Sequence, residues 1–276
     1  MTEEIKKEFE LPGFNVLLMG ATGAGKTSSI RTLVEDCGLE VFAIFTEPGM
    51  DILADIPSDK LHWMYIPPGT QSFDEFAKAM ELGSKMSWGL MKEQTTDPNK
   101  SKYDGLKRLS KALVNFTDDR TGKEYGSIGD LNQSQVFVLD SMSGLNTMAM
   151  QFVSGQSLAR TQPQWGTAMT TEMNLINMLC FDTQCHFVLM AHLDRLVDEI
   201  NGGMIIQANA LGRKNAPEIP KNFTDVVLAQ KDADKFTWST MAAKVDLKPR
   251  NLPFSDKLDP SFKLLYDTWY KRAVKD

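Results

Sequence analysis

Near its start the chain carries Gly20-Ala21-Thr22-Gly23-Ala24-Gly25-Lys26-Thr27, a Gly-x-x-x-x-Gly-Lys-Thr spacing followed by Ser28. Glycines so placed let the backbone curl until successive N–H groups face one point, and a helix starting behind them adds the positive end of its dipole. That is chemistry for phosphate. Lys26 can reach β- and γ-phosphates, and the Thr27 hydroxyl is an oxygen ligand for Mg²⁺. The candidate nucleotide contacts are therefore Gly20, Ala21, Thr22, Gly23, Ala24, Gly25, Lys26, Thr27 and Ser28. Farther on, Val136-Phe137-Val138-Leu139 runs into Asp140-Ser141. An acid at the end of an apolar run is common, but paired with a P-loop it reads as the second Mg²⁺ ligand beside Thr27. Two more polar groups end apolar runs: Glu47 after Val41–Phe45, and His192 after Cys185–Ala191. Ligand sites in open α/β sheets lie at that carboxyl edge.

The elements that must hold these groups follow from pattern. Phe14–Met19, 41–45, 61–66, 136–139 and 185–191 are short apolar runs, as expected of strands buried on both faces of a parallel sheet. Helices are expected over 27–37, 72–92, 105–117, 167–182 and 260–273, the first carrying Ile30, Leu33 and Val34 at helical spacing. Phe223–Ala229 and Phe236–Ala242 read as paired strands around the polar turn 231–234. Residues 93–104 are polar and read as loop, 118–130 as a small hairpin, and 93–130 as an insertion rather than a second domain. The stretches 144–166 and 193–220 read as loops following strand ends, the second interrupted by a short strand at 204–206. The expected fold is α/β: a central, mainly parallel sheet flanked by helices, with an antiparallel extension near the C-terminus.

Composition narrows the function. At 276 residues, 42% hydrophobic and 24% charged, the chain has material for a full α/β core as a single domain over 1–276. Cys37, Cys180 and Cys185 form no Cys-x-x-Cys pair, which suits a reducing compartment and implies no metal cluster. The first ten residues are too charged for a signal peptide, and no apolar run approaches the ~18 residues of a membrane span. A cytoplasmic protein with no membrane partner is expected. The formal charge of −6 gives no global attraction to nucleic acid, so any such contact must come from local basic groups.

With these pieces placed, the chain resembles a RecA-type recombinase core, a RecA-like P-loop NTPase. Val138-Leu139-Asp140-Ser141-Met142-Ser143-Gly144-Leu145 is similar to that family's strand-Asp-Ser pattern. Thr46-Glu47, Ala191-His192 and Arg250-Asn251-Leu252-Pro253 make it more similar to the bacteriophage nucleotide-binding ATPases of the RecA-like single-strand-annealing group. The resemblance covers roughly residues 13–260 and leaves 93–130 unmatched. It implies ATP and Mg²⁺ as cofactors, with Glu47 polarising the attacking water and Lys26 on the phosphates. It implies His192 reporting the γ-phosphate, where RecA has Gln. It also implies that the Lys248-Pro249-Arg250 segment reaches a neighbouring subunit's ATP in a ring or filament of identical copies, Arg250 being the better finger. Single-stranded DNA is the implied partner, met by Arg160, Trp165, Arg195, Arg213 and Lys214 on the two loops, in a bacterial or phage-infected cell.

Other readings share these motifs. A ring-type DNA motor, such as a helicase or packaging ATPase, uses every one of them. A small-molecule kinase or GTPase fits less well: the guanine-specifying Asn-Lys-x-Asp is absent, and Glu47 and the Lys-x-Arg pattern have no use there. A nucleotide-gated regulatory protein that hydrolyses slowly is a further reading.

Overall fold

The computed structural model describes residues 11–69, 104–155, 160–198 and 202–274, and the isolated positions 74, 77, 80, 81, 84, 85 and 87. In chain order, β1 (Asn15–Gly20) leads to α1 (Lys26–Glu35), β2 (Glu40–Phe45) and β3 (Leu61–Tyr65). Next come α2 (Gly105–Val114), the small antiparallel pair β4 (Phe116–Thr117) and β5 (Glu124–Gly126), and β6 (Gln135–Asp140). Then follow α3 (Met142–Ser154), α4 (Gln162–Phe181), β7 (His186–Ala191), and an antiparallel ribbon of β8 (Leu193–Val197) and β9 (Met204–Ala208). α5 (Gly212–Asn215), β10 (Asp225–Asp232), β11 (Lys235–Ser239), β12 (Lys248–Pro249) and α6 (Lys263–Ala273) complete the described strands and α-helices, and short 3-10 turns occupy Met50–Leu53, Ile128–Asp130 and Ile219–Asn222.

Among the described residues, eight strands form one sheet in the order β11-β10-β1-β7-β6-β2-β3, with β12 also on β10. From β10 to β3 every pairing is parallel; β11 and β12 run antiparallel to β10. Between their end residues the central strands are apolar because both faces are covered. Alternate residues (Leu17, Met19, Phe137, Leu139, Leu189) meet α2, α3 and α4 through Leu109, Leu145 and Ile176. The other set (Val16, Leu18, Val138, Val188, Met190) meets α1 and α6 through Ile30, Leu33 and Trp269. A fully buried side chain of this kind contributes about 1.5–3 kcal/mol, so the strand pattern settles the layering before any polar contact does.

The expected fold class is what forms, with differences in detail. The stretch 144–166 is mostly helix, not loop: α3 and the start of α4 leave only 155–161 between them. Composition (Met, Gln, Ser, Gly) pointed to a loop, but Met142, Leu145, Met148 and Ala149 lie at helical spacing and are all buried. α4 begins at Gln162 rather than 167 because Gln164 accepts a hydrogen bond from the Thr161 N–H at 2.8 Å, half of a capping box. The helix expected over 72–92 and the loop over 93–104 lie almost wholly outside the described residues. No helix among the described residues is long and apolar enough to cross a membrane.

Gly144 shows why a small residue was needed in α3. A Cβ there would lie 2.1 Å from Thr46 Oγ1 and 2.3 Å from Thr46 Cβ. Thr46 cannot move aside, because its hydroxyl accepts from Ser141 N at 2.8 Å and donates to Ser141 O at 3.0 Å. Gly144→Ala is therefore expected to cost about 1–3 kcal/mol of stability by overpacking. Thermal unfolding checks this, and a melting temperature equal to wild type would refute the steric account.

Candidate functional site

Register places the polar groups in one row. Met19 lies opposite Ala191, Met190 opposite Asp140, and Asp140 opposite Phe45. The residues that leave these strands at their carboxyl ends are thus neighbours: Gly20 from β1, His192 from β7, Ser141 from β6, Thr46 and Glu47 from β2. Because the strands are parallel and in step, residues distant in sequence come together without a long loop to carry them.

The turn after β1 has the conformation its glycines permit. Gly23 and Gly25 have φ of +75° and +81°, a left-handed region costly to side chains with a Cβ. α1 then starts at Lys26 with no side chain capping it and no acid in its first turn. Its first N–H groups lack helical partners and aim their partial positive charge outward, which is what an anion such as phosphate needs. A cavity of about 260 Å³ opens beside this turn, bounded by residues 22–28, Glu47, Asp140 and His192.

Lys26 Nζ donates to Gly20 O at 2.8 Å and Ala21 O at 3.0 Å. Burial pushes its ammonium below the ordinary lysine value, against the pull of Asp140 and Glu47. Thr27 Oγ1 donates to Asp140 Oδ2 at 2.6 Å. Burial pushes the Asp140 carboxyl up, against that hydrogen bond and Lys26. A hydroxyl and a buried carboxylate are hard oxygen donors, and they fit Mg²⁺. No cluster of three or more His, Cys, Asp or Glu among the described residues makes a metal cage. Mg²⁺ characteristically takes one or two protein oxygens and completes its shell with phosphate and water, so this donor set suits a nucleotide-borne Mg²⁺ rather than a structural ion.

Glu47 is held from two sides. Ser141 Oγ donates to Oε1 at 2.7 Å, and His192 Nε2 lies 3.0 Å from Oε2. An ionised carboxylate only accepts, so that ring nitrogen carries the proton. His192 Nδ1 faces Thr22 Oγ1 at 3.4 Å. The His192 hydrogen bond, then the one from Ser141 and the charge of Lys26, hold the Glu47 carboxyl below its usual range, although burial opposes them. Ser141 was not singled out from sequence; its adjacency to Asp140 at a strand end was the available signal. A water-orienting role would need Glu47 ionised, and ionisation is lost as pH falls through its pKa. Removing a donor raises that pKa, so Ser141→Ala is expected to move the acid limb of the hydrolysis–pH profile upward. A limb that stays in place would show that the contact does not tune Glu47.

The remaining sequence candidates lie elsewhere. Lys248 Nζ donates to Phe223 O at 2.7 Å and Lys221 O at 3.3 Å. β12 pairs with the first residues of β10, Asp225 and Val226, whereas the phosphate-loop end of β1 pairs with Ala229. Lys248 and Arg250 therefore sit at the amino edge of the sheet, about 13 Å of strand from the cavity's edge. Buried Asp225 accepts from Asn251 N and Nδ2, both at 2.7 Å, and Arg272 donates to Arg250 O at 2.9 Å. The Arg250 backbone is anchored while its side chain is exposed.

Of the basic and aromatic candidates, Arg160 lies in the α3–α4 connection, with its guanidinium carbon 5.9 Å from the Trp165 ring centroid. Trp165 is in the first turn of α4, Arg195 is on β8, and Arg213 and Lys214 are in α5; all three basic residues are exposed. Asn209 N donates to His192 O at 2.8 Å, and Asn146 Nδ2 donates to Asn209 O at 2.8 Å, tying the end of the β8–β9 ribbon to both His192 and α3.

Comparison with known proteins gives three findings. A family described as AAA domain matches residues 13–249. No curated protein matches. Among solved structures, the chain resembles one described as a prototypical ATPase from the type III secretion system of pathogenic bacteria. That likeness has 8% identity and a TM-score of 0.39 over 80% of this chain and 53% of the other, so this chain spans about half of that one's length.

Proposed function

This chain belongs to the AAA domain family, and from there we propose that it is a Mg²⁺-dependent ATPase, active as an assembly of identical copies and coupled to single-stranded DNA. The observation that carries this reading is the division of parts between the two edges of the sheet. Glu47, Lys26, Thr27, Asp140 and His192 share one cavity, while Arg250 stands exposed at the opposite edge. We read the chain as one ATPase unit, with 93–130 entering between β3 and β6.

In this reading the α1 N-terminus and Lys26 hold the β- and γ-phosphates. Thr27 and Asp140 would hold Mg²⁺, which would offset negative charge on the phosphates. Glu47, fixed by Ser141 and His192, orients the attacking water by accepting its hydrogen bond. Its lowered pKa makes it a weak base, suited to positioning water for a loose transition state rather than to taking a proton early. His192 is shared between Glu47 and Thr22, so a change at the γ-phosphate reaches it directly. Its backbone carbonyl is held by Asn209, which passes the change to the β8–β9 ribbon carrying Arg195. Arg160, Arg195, Arg213 and Lys214 supply phosphate contacts and Trp165 a stacking face. Recombination or annealing in a phage or bacterial setting is the biological role this implies.

The test is the ATPase rate with and without single-stranded DNA across protein concentration. The expected result is a rate per subunit that rises with both. A rate indifferent to DNA removes the nucleic-acid coupling, and one flat in concentration removes the assembly.

A further inference from the structure

The hairpin of β10 and β11 extends past the end of β1 and reaches the phosphate loop. The last β1 residue in register with β10 is Gly20, opposite Ala229, yet β10 continues to Asp232 and returns through Ala233 at φ +50°. On this overhang Phe236 lies opposite Lys231. The Phe236 ring rests on the loop: a Cβ on Gly25 would come within 3.0 Å of it. Lys231 Nζ lies 5.6 Å from the ring centroid. Although it touches the loop, Phe236 remains 40% exposed, on a hairpin tip that otherwise carries Lys231, Asp232, Asp234 and Lys235.

The geometry of the loop gives this ring a use. β1 has two neighbours, β7 and β10. The β7 side, with His192, Asp140 and Glu47 beyond it, surrounds the end where a terminal phosphate is read. A nucleotide with its terminal phosphate there and its other phosphates on the Gly25–Ser28 backbone would leave toward β10, on the other side of β1. We infer that Phe236 is the stacking platform for the nucleobase of the bound nucleotide, with Lys231 adding positive charge beside it. A phenyl face reads the flat surface of a base and not its hydrogen-bonding edge. This inference rests on the nucleotide site proposed above and names the residue that binds the base.

The experiment compares ADP with tripolyphosphate, which has the phosphates and no base, in Mg²⁺ buffer by titration calorimetry. Phe236→Ala is expected to weaken ADP about 10-fold, as for loss of one aromatic stacking partner, and to leave tripolyphosphate unchanged. Phe236→Tyr is expected to restore ADP binding. Unchanged ADP binding in Phe236→Ala overturns the inference. So does an equal loss for both ligands, which would mean that the ring only props Gly25. If the wild-type protein binds neither ligand, the nucleotide site itself falls and this inference with it, a result separate from a base-specific failure. Retained tripolyphosphate binding doubles as the check that Phe236→Ala is folded.

Discussion

Mixing two inactive variants is expected to restore ATP hydrolysis. Arg250→Ala alone should lose about 10³-fold or more in rate, the range for removal of an arginine that stabilises the transition-state charge. Glu47→Gln should also be nearly inactive, for a different reason. In a head-to-tail assembly of both, some interfaces pair an intact Glu47 with a neighbour's intact Arg250. At equal proportions these are about a quarter of all interfaces, and hydrolysis should recover to about that share of wild type. The expectation comes from placement. Arg250 follows β12, which pairs with Asp225 and Val226 at the amino edge, while Glu47 and Asp140 face the carboxyl edge. One copy cannot bring its own Arg250 to its own cavity without dismantling the sheet. The Asp225–Asn251 and Arg272–Arg250 hydrogen bonds hold that backbone in place, as a residue aimed at a neighbour needs. A mixture that stays inactive would leave Arg250 as a surface residue and remove the trans mechanism.

The second large effect separates catalysis from binding. Glu47→Gln keeps the size of the side chain and an oxygen to accept from Ser141, but loses the charge that would orient water. Hydrolysis is expected to fall about 10²- to 10⁴-fold, the usual worth of a positioned base, while calorimetric ADP binding stays within a few-fold of wild type. Lys26, Thr27 and the α1 N-terminus, which hold the phosphates in the proposed site, are untouched by the change. Loss of ADP affinity in step with the rate would place Glu47 among the binding groups and leave the water without an orienting residue.

Much of this was legible because the relevant signals are local. A Gly-x-x-x-x-Gly-Lys-Thr turn needs no distant partner to adopt its conformation: Gly23 and Gly25 allow the positive φ, and Lys26 opens the helix. The strands could be read for the same reason, since a run apolar at every position can only be buried on both faces. Over 144–166 composition points to a loop, while periodicity points to the helix that forms. Thr147 is exposed, while Asn146 and Ser154 are buried along with Met142, Leu145, Met148 and Ala149.

Other features depended on register and approach. That His192 and Ser141 both bind Glu47 follows from β7, β6 and β2 lying in step, and strand order is not written in any one strand. Gly144 gives no hint in sequence that Thr46, almost a hundred positions earlier, needs its space. Phe236 touches the phosphate loop because β10 outruns β1 beside it. By itself the sequence determined the phosphate turn, the buried strands and the identity of the acids, because short-range backbone freedom and hydrophobic pattern decide those. Only the tertiary structure decided which acid meets which donor, and that Arg250 stands at the far edge, because parallel pairing sets distances between residues that the chain leaves far apart.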